Sequence, residues 1–336
     1  MKWLGLDIGG ANLKAADAQR FAVVQPFPLW QKPRELVAAL RALIALARGA
    51  DHLAVTLTGE LADCFTTKAE GVRAIVEATA EAADGRHTRV YLTTGKFVTP
   101  QVAMAEPLLA AAANWHAMAR FAGRYAKHGP ALLVDIGTTT CDLVPLVDGQ
   151  PRALGKTDPE RMAAGELVYT GVERTPLCAV LASTVWRGQD VPLAHEIFST
   201  MWDVYLTLGD LPEEPHSLHT ADHRAATRAC ALDRLARSIC ADRNMFSIDD
   251  ALVMAEAAAS AQLARIEAAA RSVIQRMPEP PRVLVLCGRG AFLAQRLAAR
   301  LDLGAMIVSL EDELGAELSQ CATAHALAVL ASEGCP

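Results

Sequence analysis

Leu132-Leu133-Val134-Asp135-Ile136-Gly137-Thr138-Thr139-Thr140-Cys141-Asp142 is the stretch whose reading decides the fold. An apolar run ends in Asp135, a glycine and three hydroxyl residues follow, and a second apolar run returns from Cys141 to Val147. This pattern predicts a β-hairpin whose tight turn faces solvent. Turns of this composition hold anions. Gly137 is expected to take backbone angles closed to other residues, so that peptide N–H groups converge on a phosphate, and the hydroxyls of Thr138, Thr139 and Thr140 add donors. Asp135 is placed to orient a hydrated Mg2+ over the same phosphate.

The pattern recurs at the N-terminus as Leu4-Gly5-Leu6-Asp7-Ile8-Gly9-Gly10-Ala11-Asn12-Leu13-Lys14. Superposed on the first stretch, Asp7 meets Asp135, Gly9 meets Gly137 and Lys14 meets Asp142. Gly9, Gly10 and Asn12 thereby join the phosphate-binding candidates, and Asp7 and Asp142 join Asp135 as metal candidates. Two such hairpins, each opening half of the chain, imply a duplicated α/β domain with both turns facing one cleft. The expected division is a first lobe over 1–128, completed by a closing helix over 312–336, and a second lobe over 129–311.

At 336 residues and 52% hydrophobic content the chain has enough apolar material for a sizeable core in two domains. Aromatics make up only 5%, so that core is built mainly of Ala, Leu and Val. A net charge of -6 argues against nucleic-acid or anionic-membrane surfaces as partners. Asp7 stands too early for a signal peptide, and the longest apolar candidate, near Val102 to Ala119, is interrupted by Glu106, Pro107 and His116. Eight cysteines lie without a C-x-x-C pair, which fits buried free thiols in a reducing cytoplasm.

Between the hairpins, Leu36, Val37, Leu40, Leu43, Ile44 and Ala47 share a helical face, with Pro33 suited to the first turn and Gly49 to the end. Leu53 to Leu57 reads as a buried strand emptying into Thr58-Gly59-Glu60-Leu61-Ala62-Asp63. Acidic residues just past such a strand point into the ligand crevice of an α/β fold, so Glu60 and Asp63 are candidates for metal or base, against the plainer role of helix cap. Lys68 reads as a solvated lysine. Val72 to Ala83 is expected to be helical, Val90 to Thr94 a strand, and Gln101 to Lys127 helical with a break at Pro107.

After the second hairpin, Glu166 is either a strand-edge charge or a cleft carboxylate, and spacing does not decide between them. Residues 186–245 are the least legible. His216, His219, Asp222 and His223 invite a metal reading, but no regular element is evident to hold the geometry. Arg224 to Ala241 reads as a helix whose Arg228, Arg234 and Arg237 form a solvated face. A long helix is expected from Ser247, capped by its hydroxyl and stopped by Pro278, Pro280 and Pro281. Val283 to Leu286 is a strand running into Cys287-Gly288-Arg289-Gly290-Ala291, where Gly288 and Gly290 are candidates to let a nucleotide lie against a helix N-terminus. Met306 to Leu310 and a helix over Asp312 to Ser332 close the chain.

This order of hairpin, linker helices, hairpin, Gly-x-Gly turn and final helix resembles the superfamily of acetate and sugar kinases, heat-shock ATPases and actin. The resemblance implies two ribonuclease-H-like lobes with a cleft between them. Gly165-Glu166-Leu167-Val168-Tyr169-Thr170-Gly171 with Arg174-Thr175-Pro176 looks like its hydantoinase/oxoprolinase branch, although Ala11, Asn12 and Lys14 depart from that branch's usual first hairpin. The variant hairpin, with Thr58 to Asp63, Thr220-Ala221-Asp222 and Arg234-Leu235-Ala236-Arg237, is similar to the tetrahydromethanopterin-linked one-carbon transfer pathway proteins, whose archaeal members are methanofuran-biosynthetic synthases. What that implies is an ether-forming alkyl transfer, in which a tyramine phenol displaces diphosphate from an aminomethylfuran methyl diphosphate. Glu60, Lys14 and Glu166 are then the candidates to take the phenol's proton, with Lys14 better suited to neutralise phosphate. The alternatives are an ATP-dependent kinase or amidohydrolase, with Mg-ATP on Asp7, Asp135 and the Gly288 turn, and a non-catalytic nucleotide-dependent regulator.

Overall fold

The computed structural model describes residues 2–334; positions 335 and 336, with Cys335 and the end of the expected closing segment, lie outside the described residues. The first sheet holds β1 (Trp3–Gly9), β2 (Asn12–Asp17), β3 (Ala22–Pro26), β4 (His52–Thr58), β5 (His87–Tyr91) and β6 (Phe97–Val98). Its spatial order is β3-β2-β1-β4-β5-β6, with β1 to β3 an antiparallel meander and β4 and β5 parallel to β1. The second half of the chain contributes β7 (Pro130–Ile136), β8 (Cys141–Val147), β9 (Gln150–Pro151), β10 (Leu167–Val168), β11 (Ser183–Trp186), β12 (Gln189–Pro192), β13 (Val283–Cys287) and β14 (Met306–Ser309). There β10-β8-β7-β13-β14 form one sheet, while β11 and β12 make a separate hairpin. In both main sheets an antiparallel hairpin is extended by parallel strands on its first-strand side. The two halves of the chain thus form α/β lobes of like topology, the ribonuclease-H-like pattern that the resemblance implies.

The strands read as the sequence suggests because β1, β4, β7 and β13 are covered on both faces, so nearly every side chain along them is apolar. Leu4, Leu6 and Ile8 pack with Leu53, Val55, Leu57 and the helix faces of Leu40 and Ile75 in one core. Leu132, Val134 and Ile136 pack with Leu263, Ile266 and Val273 of the long helix Ile248–Gln275 in another. That helix starts in a capping box between Ser247 and Asp250. The helix Asn114–Ala122, although it precedes β7 in the chain, buries Trp115, Met118 and Phe121 beside Leu133, Val144 and Leu146 of the second sheet. The last helix, Ala322–Ser332, returns to β1, β2 and β4. These two helices thus pack against both sheets, and Asn114, Ala322 and Thr323 at their starts line the cleft.

Several elements differ from the sequence reading for local reasons. The segment after Thr99 breaks twice, at Glu106 and again around Ala112, which takes a positive φ of 48°, leaving helices Pro100–Ala105, Pro107–Ala110 and Asn114–Ala122. The closing helix is likewise divided at Gly315 and Cys321. The helix Arg228–Arg237 does not present all its arginines to water: Arg234 is 0% exposed and is paired with Asp203 at 2.7 Å and Asp222 at 3.0 Å. Burial of the helix against Met201–Leu208 forces this pairing, since a buried guanidinium needs a carboxylate. Cys141, Cys287 and Cys321 are buried thiols and Cys240 is exposed. Among the described residues no helix is long and apolar enough to cross a membrane.

Candidate functional site

The two hairpins have the same loop length and the same register. Ile8 pairs with Leu13 across Gly9-Gly10-Ala11-Asn12, and Ile136 pairs with Cys141 across Gly137-Thr138-Thr139-Thr140. Asp7 faces Lys14 and Asp135 faces Asp142 across their hairpins, so Lys14 occupies the place that Asp142 holds in the other lobe. Both turns open on one cleft of about 1090 Å³, whose wall includes Asp7, Gly9, Gly10, Asn12, Lys14, Glu60, Asp135, Gly137 to Thr140, Asp142 and Gly288. The charges of Asp7 and Lys14 are felt at Asp135, as expected of turns that look at each other.

The glycines act differently from the sequence expectation. Gly9, Gly10 and Gly137 are not among the residues with positive φ. Gly137 donates its own N–H to Thr140 O at 2.8 Å, so that amide closes the turn and is not offered to a ligand. What the missing side chains supply is room, for nothing lies within 4 Å of the space a Cβ would fill on Gly10.

The carboxylates at the ends of the central strands are held in unusual states. Burial raises the pKa of Asp7, with Lys14 working against it, and Asp7 Oδ1 is buried without a hydrogen-bond partner. Asp135 is pushed up to about 6 by burial and by Asp142, against the opposing pull of Lys14 and of Cys287, its register neighbour on β13, which hydrogen-bonds to it. Past β4, Glu60 is 2% exposed and pushed up to about 7, chiefly by burial, with the backbone and Lys68 opposing and Asp158 assisting. Glu60 Oε2 also lacks a partner. A buried, orphaned carboxylate oxygen beside open space is a position where a ligand, proton or cation completes the site.

Lys68 is not a solvated lysine. Its Nζ lies 2.6 Å from Asp158, on the helix Asp158–Ala163 of the second lobe, and 4.0 Å from Glu60. No local pattern announces this bridge, because Lys68 and Asp158 are 90 residues apart in the chain. Asp63 lines the cleft near Glu60 and is exposed.

Three candidates are engaged within the protein itself. Glu166 is not a cleft base: its two carboxylate oxygens accept from the N–H groups of Leu154 at 2.7 Å and Gly155 at 3.1 Å, so it anchors the chain after β9. Asp142 is not a free metal ligand, since Arg161 donates to it at 2.7 Å and stacks on Trp115 from the other side. Gly290 donates its N–H to Ile136 O, and a Cβ there would meet Ile136 and Val172 within 2.7 Å. Gly288 does open on the cleft, with φ of 90°, and a Cβ there would stand 2.3 Å from Ile136 O and 2.5 Å from Asp135 Oδ1. Among the described residues, no group of three or more His, Cys, Asp or Glu is arranged to hold a metal by itself; His216, His219 and His223 are exposed.

The segment Thr170 to Thr175, remarked on for its resemblance, supports the second turn. Val172 N donates to Gly137 O, and Glu173 N and Arg174 N donate to Thr138 O. Behind it a buried chain runs from Tyr205 through Gln262 to Thr170 and Gly171 O. Sequence reasoning missed Glu173, Arg174, Arg289 and Trp30, all in the cleft wall. Arg289 is engaged by Glu173 at 2.9 Å and by Glu214. Arg174 lies 5.5 Å from the Trp30 ring centroid.

The hydantoinase/oxoprolinase family model matches residues 51–332. A curated relative from Methanocaldococcus jannaschii, named (4-{4-[2-(gamma-L-glutamylamino)ethyl]phenoxymethyl}furan-2-yl)methanamine synthase, is 35% identical over 250 residues, 74% of each chain. A relative of the same name from Methanococcus vannielii is 35% identical over 124 residues, 37% of this chain and 55% of that one. Among solved structures, a nucleotide-free acetone carboxylase is 15% identical with a TM-score of 0.49, covering 94% of this chain and 51% of that one. The archaeal actin homolog Ta0583 is 12% identical with a TM-score of 0.44, covering 99% and 100%. The chain belongs to the hydantoinase/oxoprolinase family, and its curated relatives within that match are enzymes of methanofuran-type synthesis.

Proposed function

We propose that this protein is a transferase that joins an aminomethylfuran methyl diphosphate to a tyramine-type phenol, forming an aryl ether and releasing diphosphate, in methanofuran-type cofactor synthesis linked to tetrahydromethanopterin one-carbon chemistry. The observation that carries the reading is the pairing, in one cleft, of two facing anion turns with a buried carboxylate, Glu60, whose pKa of about 7 suits proton removal near neutrality. The relatives' name describes a phenoxymethyl-furan ether, the product such a site would make.

In this reading the open turns at Gly9 to Asn12 and Gly137 to Thr140 bind the diphosphate, and Lys14 adds a positive charge between them. The orphaned Oδ1 of Asp7 and the buried carboxyl of Asp135 are hard oxygen donors suited to Mg2+, which takes one or two carboxylates together with substrate phosphates. Bound there, Mg2+ would neutralise the charge that the leaving diphosphate gains. Glu60 takes the proton of the phenol, whose pKa is about 10 in water. The phenol oxygen then bonds to the furan methylene carbon as that carbon's bond to the diphosphate oxygen breaks, the electron pair leaving with diphosphate. Lys68, itself paired with Asp158 at 2.6 Å, stands 4.0 Å from Glu60 in the crevice wall.

ATP is the second polyphosphate to consider, because the Gly288 turn opens on the same cleft. A kinase or amidohydrolase reading would place Mg-ATP on that turn and Glu60 on the acceptor. Incubating the purified chain with the furan diphosphate, glutamyl-tyramine and Mg2+, without ATP, separates the two. Stoichiometric ether and diphosphate are expected; tight Mg-ATP binding by calorimetry with no diphosphate release refutes the alkyl-transfer reading. Such binding with no turnover of any kind would favour a regulator.

A further inference from the structure

Among the described residues, the cationic side chains lining the cleft are Lys14, Arg161, Arg174 and Arg289. Arg161 is engaged by Asp142, and Arg289 by Glu173 and Glu214. Lys14 and Arg174 have no carboxylate within ion-pair distance among the described residues. Lys14, across the first hairpin from Asp7, acts on both Asp7 and Asp135 and is the cation proposed to meet the diphosphate. Arg174 lies 5.5 Å from the ring centroid of Trp30. Arg174 is thus a cleft cation that no carboxylate among the described residues holds in an ion pair, and it lies beside an aromatic ring.

Trp30 and Arg174 come from opposite lobes, and each is tied to one of the turns. Leu29 N, one residue before Trp30, donates to Gly10 O at 2.9 Å, while Arg174 N donates to Thr138 O at 2.9 Å. The pair therefore lies beside the phosphate cradle, at a position set by both turns. Tyr169, 59% exposed, lines the same cleft. A guanidinium beside an indole keeps N–H groups available for a carboxylate, and an indole offers an apolar surface to an aromatic ring.

We propose that Trp30 and Arg174 form the acceptor subsite, which selects an aromatic compound carrying a carboxylate, Trp30 meeting the ring and Arg174 the carboxylate. This rests on the alkyl-transfer reading for which substrate occupies the subsite, but not for what the subsite binds. It makes the anionic tail of the acceptor, and not only its phenol, a determinant of recognition.

Calorimetry with the full chain, saturated with inorganic diphosphate and Mg2+, tests the assignment using glutamyl-tyramine and tyramine, the latter lacking the carboxylate. The wild type is expected to prefer glutamyl-tyramine, and Arg174→Ala to reduce that preference by about 10- to 100-fold, the range for a lost charge-assisted hydrogen bond. Arg174→Lys should recover part of it, and Trp30→Ala should weaken both compounds alike, with Trp30→Phe restoring most binding. Arg174 is exposed, so its variants are expected to keep the wild-type melting temperature; Trp30 is half-buried, and Trp30→Phe, which keeps an aromatic ring there, is the control for lost packing in Trp30→Ala. Equal weakening of both compounds by Arg174→Ala overturns the proposal. So does weakened binding of inorganic diphosphate alone, which would put the guanidinium on the leaving group. Carboxylate-dependent binding without ether formation leaves the subsite standing and defeats the alkyl-transfer reading, whereas ether formation with no Arg174-dependent preference does the reverse.

Discussion

Replacing Glu60 by Gln is the sharpest perturbation of the site, because the same feature predicts opposite effects on activity and on stability. Burial lifts Glu60 from an ordinary 4.5 to about 7. A base must be unprotonated to act, so kcat/KM should rise about tenfold per pH unit below 7 and level off above it. At pH 5.5 a group with that pKa is only about 3% ionised, whereas an unperturbed glutamate would be about 90% ionised. Glu60→Gln should lower kcat by about 10²- to 10⁴-fold and remove this acid limb. The sign for stability runs the other way. A carboxyl whose folded pKa is raised stabilises the fold fully below the unfolded value of 4.5, and that contribution is lost as pH rises through about 7. The full gap corresponds to about 3 kcal/mol as an order of magnitude. Glu60→Gln, which cannot ionise, should therefore melt above the wild type at pH 8 and level with it near pH 4.5. Lys68→Met, by removing a cation 4.0 Å away, should move the activity limb to higher pH. The reasoning is refuted by a pH profile that is flat between 5.5 and 7, or by a Gln variant that retains both the limb and the wild-type melting curve.

Three further outcomes follow from the geometry. Asp135→Asn should remove most activity while leaving the melting temperature equal or higher, since a buried carboxyl with a pKa of about 6 contributes no stability at neutral pH; unfolding of the variant would mark Asp135 as structural. Gly171→Ala would place a Cβ 2.4 Å from Thr139 N and 2.6 Å from Gly137 O, so the second turn must shift. It should weaken inorganic diphosphate binding by about tenfold or more by calorimetry, since a well-placed hydrogen bond to an anion is worth about 1.5 kcal/mol or more. Glu166→Ala frees two backbone N–H groups in a buried place and should cost about 2 to 4 kcal/mol in denaturant unfolding, with kcat of the remaining folded enzyme little changed. A catalytic Glu166 would give the opposite pair of results.

Both hairpins were legible because the information is local. An apolar strand, a small turn and an apolar return strand specify their own pairing, and the match of Asp7 to Asp135 and of Lys14 to Asp142 in sequence is the match in register. The capped start of the long helix and the buried strand leading to Glu60 were equally local signals. The elements that misled did so where burial by a distant segment overrides local pattern. Arg234 looked like a surface residue until Asp203 and Asp222 met it, and Lys68 until Asp158 did.

The sequence by itself determined that this chain makes two α/β lobes with paired hairpin turns, since alternation, strand length and turn residues act within a dozen positions. Tertiary structure alone decided which carboxylates remain available to a ligand. Glu166 and Asp142 are consumed by Leu154, Gly155 and Arg161, while Asp7 and Glu60 keep an unmatched oxygen in the cleft. The physical reason is that a side chain's charge state and freedom depend on its depth and on partners brought from elsewhere in the chain, quantities that exist only once both lobes have folded around the cleft.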